Sequence, residues 1–369
     1  MTNFLISTAL CLLPLISVPT NTKLNDGPYI FVKDNGSFNV VQIKDGILET
    51  SNHKIDSEKL LLTTLIPSVP VIEIKSSDPK VEADYFELPN NLLALSDLEG
   101  NLQHLLHFLQ KNKIIDNQSN WSWGQGHLVF NGDSVDRGDK VTELLWFIRK
   151  IKKQAKEAGG QVHFILGNHD IMIMSNDIRY THNKYKIVSE MMDVPYYEMF
   201  GTKSVLGRWL RQQNSIVQIG PYIFVHAGYS PDLLKLNLTH TEINNQIRAS
   251  IGPPSWPKRE NLAASLAWHS KGPLWYRGYF DKHSKEYGPK PTKEEIESIL
   301  KRHNAKAIIV GHTVTKDVGY LDSNKHLIGI DVHWDTIGEG EALLITSGKL
   351  TRLLYDGTSQ PLANILTSN

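Results

Sequence analysis

LLALSDLEGN (92–101), HLVFNGDSVDRG (127–138), VHFILGNHD (162–170), YIFVHAG (222–228) and AIIVGHT (307–313) are five apolar runs that each end in acidic, amide or imidazole side chains. A short run of Leu, Ile, Val and Phe bounded by glycine reads as a buried strand. Sheets of α/β proteins place ligands beyond the carboxyl ends of their strands. Asp97, Glu99, Asp133, Asn168, His169, His226 and His312 are therefore expected to converge on one edge. Oxygen and imidazole donors without thiolates suit two divalent ions, Mn first, with Fe, Zn or Mg as alternatives, and two such ions about 4 Å apart activate water against phosphoryl centres. Asp133, in the middle of the set, is the natural bridge, because one carboxylate can give an oxygen to each ion.

Helical patterns alternate with these strands. In NLQHLLHFLQK (101–111) and KVTELLWFIRKIKKQAKEAG (140–159) apolar residues recur at three and four, as on a helix packed against a sheet. The second gathers lysines late and stops at Gly159, as a helix carboxyl terminus should. The catalytic region is expected over 90–357. It carries a helical cap insert at 171–213, which either packs over the sheet or roofs the site and selects the substrate, and a second insert at 239–280. Upstream, 24–89 reads as a β-rich accessory region, with Asn35-Gly36 and Asp45-Gly46 as hairpin turns. The polar tail 358–369 is expected to be loose.

At 369 residues and 40% apolar content, with 39 basic against 39 acidic residues, the chain can bury a large core and carries no net charge. No global field recruits a nucleic-acid polymer or an anionic membrane, so attraction for phosphate must be local. The single cysteine, Cys11, lies in the apolar run 4–18, which excludes a disulfide framework, a thiolate metal site and a cysteine nucleophile in the rest of the chain. That run is short for a membrane span and reads as a signal peptide over 1–20, implying a periplasmic or secreted protein with no stable membrane partner once the leader is removed.

The motifs SDLEGN, NGDSVDRG, GNHDIMIM, VHAG and GHTVTKDVGY occur in the order found in calcineurin-like metallophosphoesterases of the phosphoprotein phosphatase superfamily, and the chain resembles them over about residues 90–355. FGTKSVLGRWLRQQNSIVQIGPYIFVHAG (200–228) and GPLWYRGY (272–279) look most like the bacterial Shewanella-like phosphatases. The resemblance implies a central β-sandwich of two mixed sheets flanked by helices. It also implies a phosphatase that hydrolyses phosphomonoesters, of phosphotyrosine or phosphoserine in peptides or of small molecules, by direct attack of a hydroxide bridging the two ions. Asp97 and Glu99 would hold the first ion, Asn168, His226 and His312 the second, with Asp133 between them. His169 would protonate the leaving oxygen while Asp136 holds its ring. Arg137 and Arg277 would each offer a planar fork to phosphate oxygens. Asp331 resembles a supporting aspartate, Arg179, Arg208 and Arg211 are cap candidates, and Tyr276 either borders the leaving group or fills the core.

One position departs from the pattern. The family's first motif usually reads GDxHG, and here Glu99 stands where the histidine ligand would be. A harder, anionic donor would shift preference toward Mn or Mg over Zn. Two other readings stay open: a nucleotide or dinucleoside polyphosphate hydrolase, and a catalytically silent metal-binding or phosphate-sensing module.

Overall fold

Asp45 and Gly46 adopt φ of 51° and 79°, the left-handed pair that closes a two-residue hairpin. In the computed structural model, which describes residues 23–365 apart from 56–58, 76, 78, 254–260 and 337, β1 (Asp26–Val32), β2 (Phe38–Lys44) and β3 (Ile47–His53) form one antiparallel sheet. A second hairpin pairs β4 (Lys59–Thr63) with β5 (Val71–Lys75). This is the expected β-rich accessory region. Its bonds to the rest of the chain are specific: Trp146 Nε1 donates to the Pro28 carbonyl at 2.9 Å, and Lys184 Nζ meets Asp26 Oδ1 at 2.9 Å. The expected leader and most of 252–260 lie outside the described residues, among which no helix is long and apolar enough to cross a membrane.

Twelve further strands make the catalytic core: β6 (Tyr85–Phe86), β7 (Asn91–Leu95), β8 (His127–Asn131), β9 (Gln161–Ile165), β10 (Ile216–Ile219), β11 (Tyr222–Val225), β12 (Ala307–Val310), β13 (Gly319–Tyr320), β14 (Leu327–Gly329), β15 (Glu341–Thr346), β16 (Lys349–Leu354) and β17 (Ser359–Pro361). They form two mixed six-stranded sheets, ordered β17-β16-β15-β7-β8-β9 and β13-β14-β12-β11-β10-β6. Both contain the expected parallel strands, and register decides what these bring together. Leu95 lies opposite Phe130 and Asn131 opposite Ile165, so β7, β8 and β9 end level. In the other sheet Phe224 lies opposite Ile309, which leaves His226 and Gly311 side by side. Asn131 Nδ2 donates to the Val225 carbonyl at 3.2 Å and joins the two edges.

α1 (Leu102–Lys111) and α2 (Val141–Glu157) follow β7 and β8 and bury faces at helical spacing, Leu102, Leu105 and Leu109 on the first and Leu144, Ile148, Ile151 and Ala155 on the second. Each such leucine taken from water contributes about 1.5–3 kcal/mol. After β9 the chain forms α3 (Asn168–Met174), α4 (Asn183–Met192), a short 3₁₀ turn and α5 (Val205–Leu210).

Two expectations at the ends are corrected. β6, placed with the accessory region, pairs with β10 and so belongs to the catalytic sandwich. The tail is not loose over 359–361: Gly357 takes φ of 90°, Asp356 Oδ1 accepts the Thr358 N–H at 2.8 Å, and the turn folds β17 back onto β16. Polar composition concealed an edge strand whose only requirement is main-chain pairing.

Behind β11, His240 and His303 stack at 4.2 Å, and His303 Nε2 lies 3.0 Å from the Tyr229 hydroxyl. Burial first, then His303, pushes His240 down to about 3, and burial, then Arg302, pushes His303 down to about 4. The unfolded chain takes up these protons near pH 6.5 and the folded chain does not, so stability is complete above about 6.5 and declines as pH falls toward 4. Thermal melts from pH 7 to 4.5 should show a steeper fall for the native chain than for His240→Leu; equal slopes would remove this pair as the cause.

Candidate active site

The strand-end loops lock together through the main chain. Asp97, Glu99 and Gly100 donate to the carbonyls of Gly132, Asp133 and Ser134 at 3.1, 2.9 and 3.0 Å, and Gly138 donates back to Glu99 at 2.8 Å. Asp97, Glu99, Asp133, Asp136, Arg137 and His312 all have positive φ. Such conformations persist only where the surroundings impose them and gather at functional sites. Gly132 has φ of 93°, and a Cβ there would sit 2.3 Å from His226 Nδ1; one on Gly167 would sit 2.1 Å from Asp133 Oδ1. These two glycines let the strand-end loops touch.

Asp133, His226 and His312 are buried, and each offers a ligand atom, all within 4.8 Å of one another; no other such group of His, Cys, Asp or Glu occurs among the described residues. His226 Nδ1 lies 2.9 Å from the Asn131 carbonyl, which only accepts, so that nitrogen carries hydrogen and Nε2 faces Asp133 Oδ2 at 3.0 Å. The Asn168 side-chain oxygen stands 3.0 Å from His226 Nε2, 3.3 Å from Asp133 Oδ2 and 2.8 Å from His312 Nδ1. Lone pairs therefore face one another unless His226 is protonated at Nε2, the amide turns over or a cation lies among them. His312 Nε2 is buried without a partner.

Charge points the same way. Burial opposes ionisation of Asp133, but the facing His226 and His169 overcome it and hold the carboxyl well below the usual range. Burial likewise works against a charged His226, yet Asp133 and Asp97 raise it to about 10: the carboxylates demand a positive charge at this point. His312, desolvated and beside His226 and Arg277, is pushed well below its ordinary value and stays neutral, as a ligand must. The donor set fits a divalent ion.

Asp97, Glu99, Arg137, His169, Arg277 and Asp331 border one cavity of ≈ 290 Å³ together with Asp133 and His312, while Asp136, Asn168 and His226 lie behind its wall. Asp97 Oδ2 accepts from Ser96 Oγ at 2.5 Å and from the His312 N–H at 3.0 Å. His169 Nδ1 lies 2.8 Å from Asp136 Oδ2, while its Nε2 looks toward Asp133 Oδ2 at 3.9 Å. Burial alone would lower His169, but Asp133 and the bond to Asp136 raise it above its ordinary value, which suits a proton donor. Arg277 Nη1 donates to Thr313 Oγ1 at 3.0 Å.

Glu99 and Arg137, assigned to different tasks, form one ion pair. Glu99 thus faces the guanidinium rather than the Asp133, His226 and His312 group, because the 132–138 loop lies against it. Arg211 does not reach the site: its guanidinium is taken by the carbonyls of Phe200 and Gly207. Arg179 and Arg208 are absent from the cavity wall as well. Tyr276 is a core residue, edge-on to Tyr279 at 5.1 Å. Asp331 is buried, and burial, then Asp97, raises its carboxyl well above the usual range.

Asp170 was missed. Its carboxylate accepts the N–H groups of Gly167 at 2.8 Å, Asp133 at 2.9 Å and Ser134 at 3.3 Å, which holds the β8 and β9 loops in one frame. The available signal was an acidic residue at the third position of a helix opening on glycine.

A family model, calcineurin-like phosphoesterase, matches residues 91–316. The crystal structure of a cold-active protein-tyrosine phosphatase from a psychrophilic Shewanella species superposes with a TM-score of 0.83 at 33% identity, covering 92% of this chain and 99% of that one. Shewanella-like protein phosphatase 2 of Arabidopsis thaliana is 26% identical over 70% of this chain and 74% of its own length. The symmetrical bis(5'-nucleosyl)-tetraphosphatase of Vibrio vulnificus is 29% identical over 42% of this chain and 51% of its own.

Proposed function

The chain belongs to the calcineurin-like phosphoesterase family and is a metal-dependent phosphatase, and on that premise we propose that it hydrolyses phosphomonoesters of peptides, phosphotyrosine or phosphoserine, at a centre of two divalent ions. The observation that carries this reading is the meeting of Asp133, His226 and His312 in one buried group beside the His169–Asp136 pair. Asn168, His226 and His312 would hold one ion, Asp97 and Glu99 the other, and Asp133 both. Bound there, the ions would lower the pKa of water and neutralise phosphoryl oxygens. His169 delivers its Nε2 proton to the leaving oxygen, Asp136 fixes the ring and supports its charge, and Arg277 binds phosphate from the side of Thr313.

Glu99 and Arg137 must part for both to act as assigned, with the carboxylate turning to the ion and the guanidinium to phosphate. Manganese is the proposed metal, because a carboxylate in place of an imidazole makes the first site harder. Glu99→His is expected to keep activity while moving preference toward Zn, read from metal content and turnover with each ion. An unchanged preference would mean that this carboxylate is not a ligand. An address outside the cytoplasm rests on the apolar run 4–18.

Family membership sets aside the silent module that Glu99 raised. The bis-nucleosyl relatives share a shorter stretch, so anhydride cleavage is the lesser reading. Phosphate release from phosphopeptides, nucleotides and dinucleoside polyphosphates separates the two: faster turnover of phosphopeptides is expected, and turnover of polyphosphates alone would overturn the proposal.

A further inference from the structure

We propose that Tyr180, in the cap insert, is the specificity-determining wall for the leaving group and favours phosphoesters whose leaving oxygen is borne by an aromatic ring. The inference deepens the phosphomonoesterase reading and rests on His169 as the acid of that site.

Tyr180 is 44% exposed, although it stands beside the most buried groups of the site. Its ring centroid lies 4.9 Å from that of His169, at an interplanar angle of 50°. The guanidinium groups of Arg137 and Arg179 lie 5.5 and 5.6 Å from the same centroid. Arg179 is itself clamped by Asp177 through two bonds of 2.8 Å. The main chain is equally fixed: the Tyr180 carbonyl accepts the Arg137 N–H at 3.0 Å, and Thr181 Oγ1 donates to Asp136 Oδ1 at 2.9 Å. The ring is thus held by its neighbours while 44% of the residue stays exposed, and its main chain is bonded to the loop that carries Asp136 and Arg137. Ordering it costs nothing further when a ligand arrives.

Geometry sets what this face would meet. Nδ1 of His169 is taken by Asp136, so the leaving oxygen must come within about 3 Å of Nε2. The atoms attached to that oxygen then emerge beside the imidazole and its neighbouring ring. A phenyl group bonded directly to the oxygen is flat and can lie against Tyr180 at the 4.5–7 Å centroid separations that aromatic pairs prefer. A serine-type leaving group offers only a methylene there. The Arg137 guanidinium, on the cavity wall, also places positive charge on this side of a leaving phenolate as it develops.

The test compares competitive inhibition of the metal-loaded enzyme by phenylphosphonate and methylphosphonate, which are not hydrolysed. The native enzyme is expected to bind the phenyl compound more tightly. Tyr180→Ala should reduce that preference roughly 3- to 10-fold while leaving the methylphosphonate constant unchanged, and Tyr180→Phe should retain it. Tyr180→Leu, which keeps bulk but not the aromatic face, should behave like the alanine variant and serves if the latter fails to fold. Equal weakening of both inhibitors would show that the ring merely props Arg137 and His169, and an unchanged preference, or no inhibition of the native enzyme by either compound, would also overturn the proposal. The ratio is read whatever substrate is turned over. A preference for polyphosphates would sink the phosphomonoester reading and this inference with it, whereas a failed phosphonate ratio in an enzyme that turns over phosphopeptides would sink this inference alone.

Discussion

Asp133→Asn lowers turnover by at least ~10³-fold, about 4 kcal/mol of transition-state stabilisation, and lowers the bound metal with it. Asp133 Oδ1 accepts the His169 N–H at 2.8 Å and Oδ2 faces His226 Nε2 at 3.0 Å, so this carboxylate stands between the proposed acid and the proposed ligands. Asparagine is chosen because the residue sits at φ of 51°, a conformation that asparagine tolerates well. The turn survives while one anionic oxygen is lost. Metal content by mass spectrometry and phosphate release are measured on the same preparation. A fully active, metal-replete variant would remove Asp133 from the centre of the site.

His169→Asn separates chemistry from metal binding. The imidazole is bound to Asp136 through Nδ1 and is not a member of the Asp133, His226 and His312 group, so the variant should retain its metal. Loss of a positioned general acid costs roughly 10²–10⁴-fold. The loss should be large for substrates with poor leaving groups and small for those whose leaving oxygen departs without a proton. Turnover of an aryl phosphate series against leaving-group pKa reads the difference, and an equal loss across the series would exclude His169 as the acid.

The meeting of Asp133, His226 and His312 was legible because it depends on residue type at strand ends. Parallel register levels the ends of β8 and β9, before Asp133 and Asn168, in one sheet and those of β11 and β12, before His226 and His312, in the other. The partner of Glu99 was not legible. Two residues beyond Asp97 it could face an ion or a neighbour, and the main-chain bonds to Asp133 and Gly138 that lay Arg137 against it join loops far apart in sequence. Arg211 failed as a cap candidate for the same kind of reason: whether a guanidinium reaches phosphate or two main-chain carbonyls is settled by the turn at Phe200, which hydrophobic periodicity does not encode. Asp170 carries no sequence signal beyond its place at a helix start, because the β8 loop that it bonds lies far away in sequence. β17 pairs through its main chain, so its side chains gave no alternation to read.

Calorimetric titration of the metal-stripped protein with Mn²⁺, followed in parallel by phosphate release, tests the two-ion centre most directly. Binding of about two equivalents per chain is expected, with activity appearing as the second is filled. Full activity at a single equivalent, or turnover with no divalent ion present, would contradict it.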